Sequence, residues 1–289
     1  MTCAPLPHAG RHGPACFRGE TGDLGLETLP EQTRLVDVDK ESTVRILAIS
    51  DTPERLLYDS FSPERWKGQV DLVLSCGDLD HEYLEFLVSV LDVPLYYVAG
   101  NHDTAYRNRP PEGCESIDGR VVTAGGLRIA GVSGSMAYNA GPEEYQFNER
   151  QMDWKMRKLG YKVWRAGGVD LVVSHAAPVH CPSFGRCPAP VGIGRACAHP
   201  ECAAHLDTCL DAGDLCHRGF DTFRQFILRH HPTYWLHGHN HLTYSWAPRL
   251  SCIGDTTVIN AYGHYVLDTA ARPRILPIVA SSSSALRPS

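Results

Sequence analysis

The sequence has no uninterrupted apolar run of about 18 residues, the minimum for a membrane-crossing helix, so neither a span nor a membrane partner is expected. Its first residues, Met1-Thr-Cys-Ala-Pro-Leu-Pro-His8, lack the charged start and apolar middle of a secretion signal. A cytoplasmic location is the expectation. No block of Lys or Arg occurs and the formal net charge is -6, which argues against a broad nucleic-acid surface. A small or locally bound substrate is expected instead. No internal repeat is present, and the 11 cysteines contain no Cys-x-x-Cys pair. Without a secretion signal they read as thiols or metal ligands rather than a disulfide framework.

What is present is enough chain, 289 residues with 43% hydrophobic side chains, for one large domain with a full core. Residues 1 to about 40 hold four Pro and five Gly without a sustained period, so 1–42 reads as a flexible extension, 43–270 as the domain, and 271–289 as a flexible tail. Within the domain, strands and helices alternate. Apolar, β-branched stretches start at Val44, Val70 and Pro94, and between the last two Leu84, Leu87, Val88 and Leu91 repeat at i, i+3, i+4 and i+7 as one buried helix face. The Gly-Gly at 125 and 126 separates two short apolar runs and predicts a hairpin. Asn148, with Gln151 three residues on, predicts a helix start, and Gly160 its stop. Strands are further expected at Val169 to Val173, Tyr234 to His237 and Thr256 to Leu267, with a helix carrying Phe220, Phe223 and Ile227 that ends before Pro232.

Chemistry gathers where the strands stop. Ser50-Asp51, Cys76-Gly77-Asp78, Gly100-Asn101-His102-Asp103, Ser174-His175 and Gly238-His239-Asn240-His241 each follow an apolar stretch. A lone Asp at a strand end is usually a turn residue. Five ordered pieces bearing oxygen and imidazole donors are hard to obtain from turn chemistry alone and match the donor set of a two-metal hydrolase. Asp51, Asp78 and Asn101 lie 27 and 23 positions apart, close to the roughly 30 residues of one βαβ unit, so parallel strands would bring them to one sheet edge. Asp78, on the middle strand, suits a carboxylate shared by two cations. In an extended segment His239 and His241 would project the same way.

Residues 178–216 form a long connection after His175, leaving the same sheet edge, and contain Cys181, Cys187, Cys197, Cys202, Cys209 and Cys216. Their spacing fits thiols in a variable loop rather than a zinc knuckle, despite His199 and His205 nearby.

The order of these motifs resembles the calcineurin-like metallophosphoesterase superfamily over about residues 43 to 268. The resemblance implies an α/β fold, a four-layer αββα sandwich with two mixed β-sheets and a dinuclear site on one edge. Carried over, one divalent ion would be held by Asp51, Asp78 and His241, and the other by Asp78, Asn101, His175 and His239. Mixed nitrogen and oxygen ligands suit Mn, Fe, Zn or Ni. The implied activity is hydrolysis of a phosphomonoester or phosphodiester by a metal-bound hydroxide, with His102 donating a proton to the leaving group. Asp80 and Asp103 are both candidate acid partners for His102. The first family motif, Asp-x-His, is departed from: Asp51-Thr52-Pro53 offers no imidazole, so a water, Glu54 or another residue would fill that position. The contrasting expectation is a binding scaffold that has lost catalysis through Pro53.

Overall fold

Strands buried on both faces build this fold: every residue of the strands at Leu72–Ser75, Leu171–Ser174 and Tyr234–His237 is buried. The computed structural model describes residues 43–59, 61–138, 144–179, 217–242 and 249–270. The expected extension at 1–42, the cysteine-rich stretch from 180 to 216 and the tail at 271–289 lie outside the described residues. Two units separate along the chain, Met1–Lys40 and Glu41–Ser289, and all that follows concerns the second.

The first sheet contains β1 (Arg45–Ser50), β2 (Leu72–Ser75), β3 (Leu95–Tyr97), β4 (Glu115–Ser116) and β13 (Gly263–Asp268), in the order β13-β1-β2-β3-β4. β1 to β4 are parallel and β13 is antiparallel to β1. α1 (Pro63–Trp66) and α2 (His81–Leu91) cross between the first three strands. The second sheet orders β11 (Leu250–Ile253), β12 (Thr256–Asn260), β10 (Tyr234–His237), β9 (Leu171–Ser174), β6 (Leu127–Val132) and β5 (Val121–Ala124). Its four inner strands are parallel, flanked by antiparallel β11 and β5. α3 (Glu149–Arg165) and α4 (Asp221–His230) pack on it, while β7 (Ser135–Met136) and β8 (Gln146–Phe147) pair separately.

Successive side chains on a strand face opposite ways, and the inner strands here feed two cores. Ile46, Ala48, Leu72 and Leu74 meet Leu171, Val173, Tyr234, Leu236 and Ile259 between the sheets. Leu47, Ile49 and Val73 instead pack on Tyr83, Leu84, Leu87 and Leu91 of α2. Val172, Trp235 and Val258 face Met152, Met156, Leu159 and Val163 of α3 and Phe223 and Ile227 of α4. The layers are therefore helix, sheet, sheet, helix, the αββα sandwich with two mixed sheets. Burying each such Leu or Ile contributes about 1.5–3 kcal/mol.

Three local expectations need correction. α3 does not stop at Gly160: it runs to Arg165, because Val163 continues the buried stripe from Leu159. Gly160 instead lets α4 approach, since a Cβ there would lie 3.2 Å from His230 Nε2. The predicted Asn148 cap is present, with Gln151 N–H donating to Asn148 Oδ1 at 3.0 Å and Asn148 N–H to Gln151 Oε1 at 2.8 Å. The stretch from Thr256 to Leu267 is two strands, not one. β12 belongs to the second sheet and β13 to the first, and the chain passes between them through Gly263, whose φ of 70° favours glycine. Finally, β10 ends at His237 and His239 is left-handed, with φ 66°, so His239 and His241 do not share one strand face.

Candidate metal centre

β1, β2 and β3 are adjacent and parallel in one sheet, and β9 and β10 are adjacent and parallel in the other. Their C-terminal ends carry Asp51, Asp78 and Asn101 on one side and His175 and His239 on the other. Face-to-face packing of the sheets brings the two sets together. Asp51, Asp78 and His239 all have left-handed backbones, with φ of 66°, 56° and 66°. That conformation costs non-glycine residues about 1–3 kcal/mol, and such outliers collect at functional sites.

His175 is the centre of the cluster and is fully buried. Its Nε2 lies 3.0 Å from Asn101 Oδ1, 3.1 Å from His239 Nδ1 and 3.3 Å from Asp78 Oδ2. Its Nδ1 lies 2.8 Å from the carbonyl of Cys76, an acceptor, so Nδ1 carries the ring proton and the neutral ring turns the Nε2 lone pair inward. The Asn101 amide donates from Nδ2 to the Tyr138 hydroxyl at 3.4 Å, which turns Oδ1 inward. A carboxylate oxygen, an amide oxygen and two imidazole nitrogens therefore converge. That donor set fits a borderline divalent cation. Among the described residues, Asp78, His175 and His239 are the one group of three His, Cys, Asp or Glu side chains with ligand atoms within 4.8 Å of one another.

Asp51 and His241 form a neighbouring pair, with Nε2 3.6 Å from Oδ1. The backbone N–H of His239 donates to both Asp51 oxygens at 3.0 Å, which joins this pair to the cluster. Gly238 makes that approach feasible, since a Cβ there would lie 2.6 Å from Asp51 Oδ2. Pro53 is exposed. Glu54, a candidate to replace the missing imidazole, is engaged otherwise: Oε2 pairs with His264 Nδ1 at 3.0 Å and Oε1 accepts from Leu56 N–H at 3.4 Å.

The charges are tightly interlocked. Burial disfavours the Asp78 carboxylate, but His175 outweighs it and holds Asp78 down at about 2. Burial likewise disfavours the His175 cation, yet Asp78 and Asp51 lift it to about 9. A proton on His175 thus occupies the position a cation would take, and the two compete. Asp51 is lowered: its burial is outweighed by His241, His175 and Ser50. His241 is raised by its bond to Asp51.

His102 is exposed beside Asn101, and its backbone N–H donates to Asp78 Oδ1 at 2.8 Å. Asp103 is buried, and its Oδ2 accepts from the Asp78 and Gly100 N–H groups at 2.8 and 2.7 Å, stapling two ligand loops together. Burial pushes Asp103 up to about 6 against those two donors. Asp80 is exposed, at the start of α2. Two residues at the site were not singled out from the sequence. Tyr138 has no motif around it. The His217 ring centre lies 5.1 Å from that of His239 and 6.1 Å from that of His241. Its one sequence signal is its position just after the long connection that follows the His175 strand end.

Comparisons with known proteins bear on the fold and the family. The crystal structure of TT1561 of Thermus thermophilus superposes with a TM-score of 0.50 at 16% identity, covering 80% of this chain and 96% of that one. A second crystal structure gives a TM-score of 0.50 at 15% identity, covering 79% and 96%. Identities this low speak for the fold alone. Vps29 of Chaetomium thermophilum, at a TM-score of 0.26, 21% identity and coverage of 45% and 57%, carries no argument. Comparison with curated proteins yields no match. The model of the calcineurin-like phosphoesterases matches residues 44–243, most of the described domain with both halves of the ligand cluster, and the chain belongs to that family.

Proposed function

We propose that the protein hydrolyses a small phosphomonoester or phosphodiester at a site holding two divalent cations, drawn from Mn, Fe, Zn or Ni. The observation that carries this reading is the convergence of Asp78, Asn101, His175 and His239 on one volume at the sheet edge. Asp78, Asn101, His175 and His239 would hold one ion, and Asp51, Asp78 and His241 the other. Bound cations supply Lewis-acid activation of water and of the phosphoryl oxygens.

The chain's own groups do the positioning. The Cys76 carbonyl fixes the tautomer of His175, and Tyr138 fixes the orientation of Asn101. Asp103 holds the Asp78 and Asn101 loops in register through their backbone N–H groups. His102, exposed beside Asn101, would give a proton to the leaving alkoxide from its ring nitrogen. His217, whose ring lies beside those of His239 and His241, would donate to a phosphoryl oxygen of the substrate.

The test is hydrolysis of bis-p-nitrophenyl phosphate and p-nitrophenyl phosphate by Mn-loaded protein, with an Asp78→Asn, His239→Ala variant as blank. Metal-dependent turnover absent from the variant is expected, and the preferred ester separates diesterase from monoesterase. Absence of turnover on both esters across all four metals would overturn the enzyme reading in favour of a binding scaffold.

A further inference from the structure

α3 carries two opposed stripes. Met152, Met156, Leu159 and Val163 form the buried one. Trp154, Lys158, Tyr161 and Arg165 repeat with the same spacing on the outward side, with Arg150 one turn before and Trp164 alongside. Trp154, Tyr161 and Trp164 are 61%, 57% and 73% exposed, although large aromatic rings contribute most when buried. Four exposed cations, Arg150, Arg157, Lys158 and Arg165, share this outward face in a chain whose net charge is -6, while Lys162 at its edge donates from Nζ to the Gly119 carbonyl at 2.6 Å. The two acids of α3 are occupied: Glu149 accepts from Thr222 N–H at 2.7 Å, and Asp153 pairs with Arg157 at 2.8 Å.

Paired Trp and Tyr rings among Lys and Arg on a helix of about 25 Å match the interfacial zone of a lipid bilayer, where amphipathic rings seat at headgroup level and cations meet anionic lipids. We propose that the outward face of α3 docks the protein peripherally on an anionic lipid surface. The expectation of no membrane partner rested on the length of apolar runs, which bears on spanning and not on surface docking. Two other occupants fit less well. A second copy related by a two-fold axis would set Arg150, Lys158 and Arg165 against their own counterparts. Single-stranded nucleic acid needs open ring faces for base stacking, whereas Lys158 Nζ lies 3.1 Å over the Trp154 ring and Tyr161 stacks on Trp164, with centres 5.9 Å apart and a 31° tilt.

The experiment is vesicle flotation of the full chain at about 0.15 M salt, where surface charges still act over roughly 8 Å. Vesicles of phosphatidylcholine alone are compared with equimolar phosphatidylcholine and phosphatidylglycerol. Binding to the second and not the first is expected, with a blue shift of tryptophan emission. Each cation near an anionic surface contributes roughly fivefold, so Lys158→Glu with Arg165→Glu should weaken binding by at least about 25-fold. Trp154→Ala with Trp164→Ala should abolish the blue shift, and both variants should keep the wild-type melting point, since the altered side chains are exposed. The proposal fails if the full chain ignores anionic vesicles, binds neutral ones equally, or binds undiminished in both variants. It also fails if the Trp variant instead dissolves a dimer seen by sedimentation, or loses affinity for oligothymidylate. Binding, not turnover, is read throughout, so the outcome is independent of the hydrolase reading.

Discussion

Replacing Gly100 by Ala removes no ligand, yet the structure makes it a severe test of the centre. A Cβ on Gly100 would overlap Asp78 Oδ1 and lie 2.6 Å from Asp78 Cγ and 2.7 Å from His175 Cε1, where ordinary contact begins at 3.4 Å. Gly100 is not among the glycines with positive φ, so alanine fits its backbone and the effect is one of bulk. Asp78 must retreat by at least about 0.8 Å and His175 by about 0.7 Å, beyond the roughly 0.5 Å tolerance of a preorganised site. A misplacement of about 1 Å costs on the order of 100-fold in rate. Turnover of the better nitrophenyl ester should therefore fall by about 30- to 100-fold, which is about 2–3 kcal/mol of transition-state stabilisation. Mn affinity, measured by titration calorimetry, should weaken by about tenfold or more, because the same ligands shift. Overpacking should cost the fold about 1–3 kcal/mol, leaving circular dichroism native. Turnover and Mn affinity within about threefold of the parent protein would refute the packing of Gly100 against Asp78 and His175 on which the site description rests.

Asn148→Ala removes both bonds of the α3 capping box and should cost about 1 kcal/mol. That is a fall of about 2–4 °C in melting temperature, and an unchanged midpoint would contradict the cap. In metal-free protein, His175 is raised from its ordinary 6.5 to about 9 in the folded state. Its contribution to stability is fully present below pH 6.5 and is lost as pH rises through about 9. Melting of chelator-treated protein should therefore decline across that window, and His175→Asn should flatten the decline. Affinity for Mn should rise over the same range as the competing proton leaves. His217→Ala should raise KM for the nitrophenyl ester by roughly tenfold, the loss of one hydrogen bond to a charged group, with bound metal unchanged by mass spectrometry. Metal loss in that variant would make His217 a ligand instead.

Much of the domain is legible along the chain because its causes are local. Uninterrupted apolar runs at Ile46 to Ile49 and Leu171 to Val173 dictate two-faced burial in a sheet, and the Asn148 to Gln151 spacing writes the start of α3. Asp51, Asp78, Asn101, His175, His239 and His241 stand out for the same reason: polar ligand types stop apolar runs, and parallel strands gather their C-terminal ends. The residues that complete the site have no such local cause. Cys76 reaches His175 across 99 positions, Asp51 meets the His239 N–H across 188, and Tyr138 turns Asn101 across 37. The sequence by itself determined the strands, their buried faces and the chemical type of the candidate ligands, since these follow from side-chain period and turn chemistry. Only the tertiary structure decided that Thr256 to Leu267 divides between two sheets, that Asp51, Asp78 and His239 adopt left-handed backbones, and that His217 returns beside the ligand histidines. Those features are set by contacts between strands of different sheets, whose free energy no single segment contains.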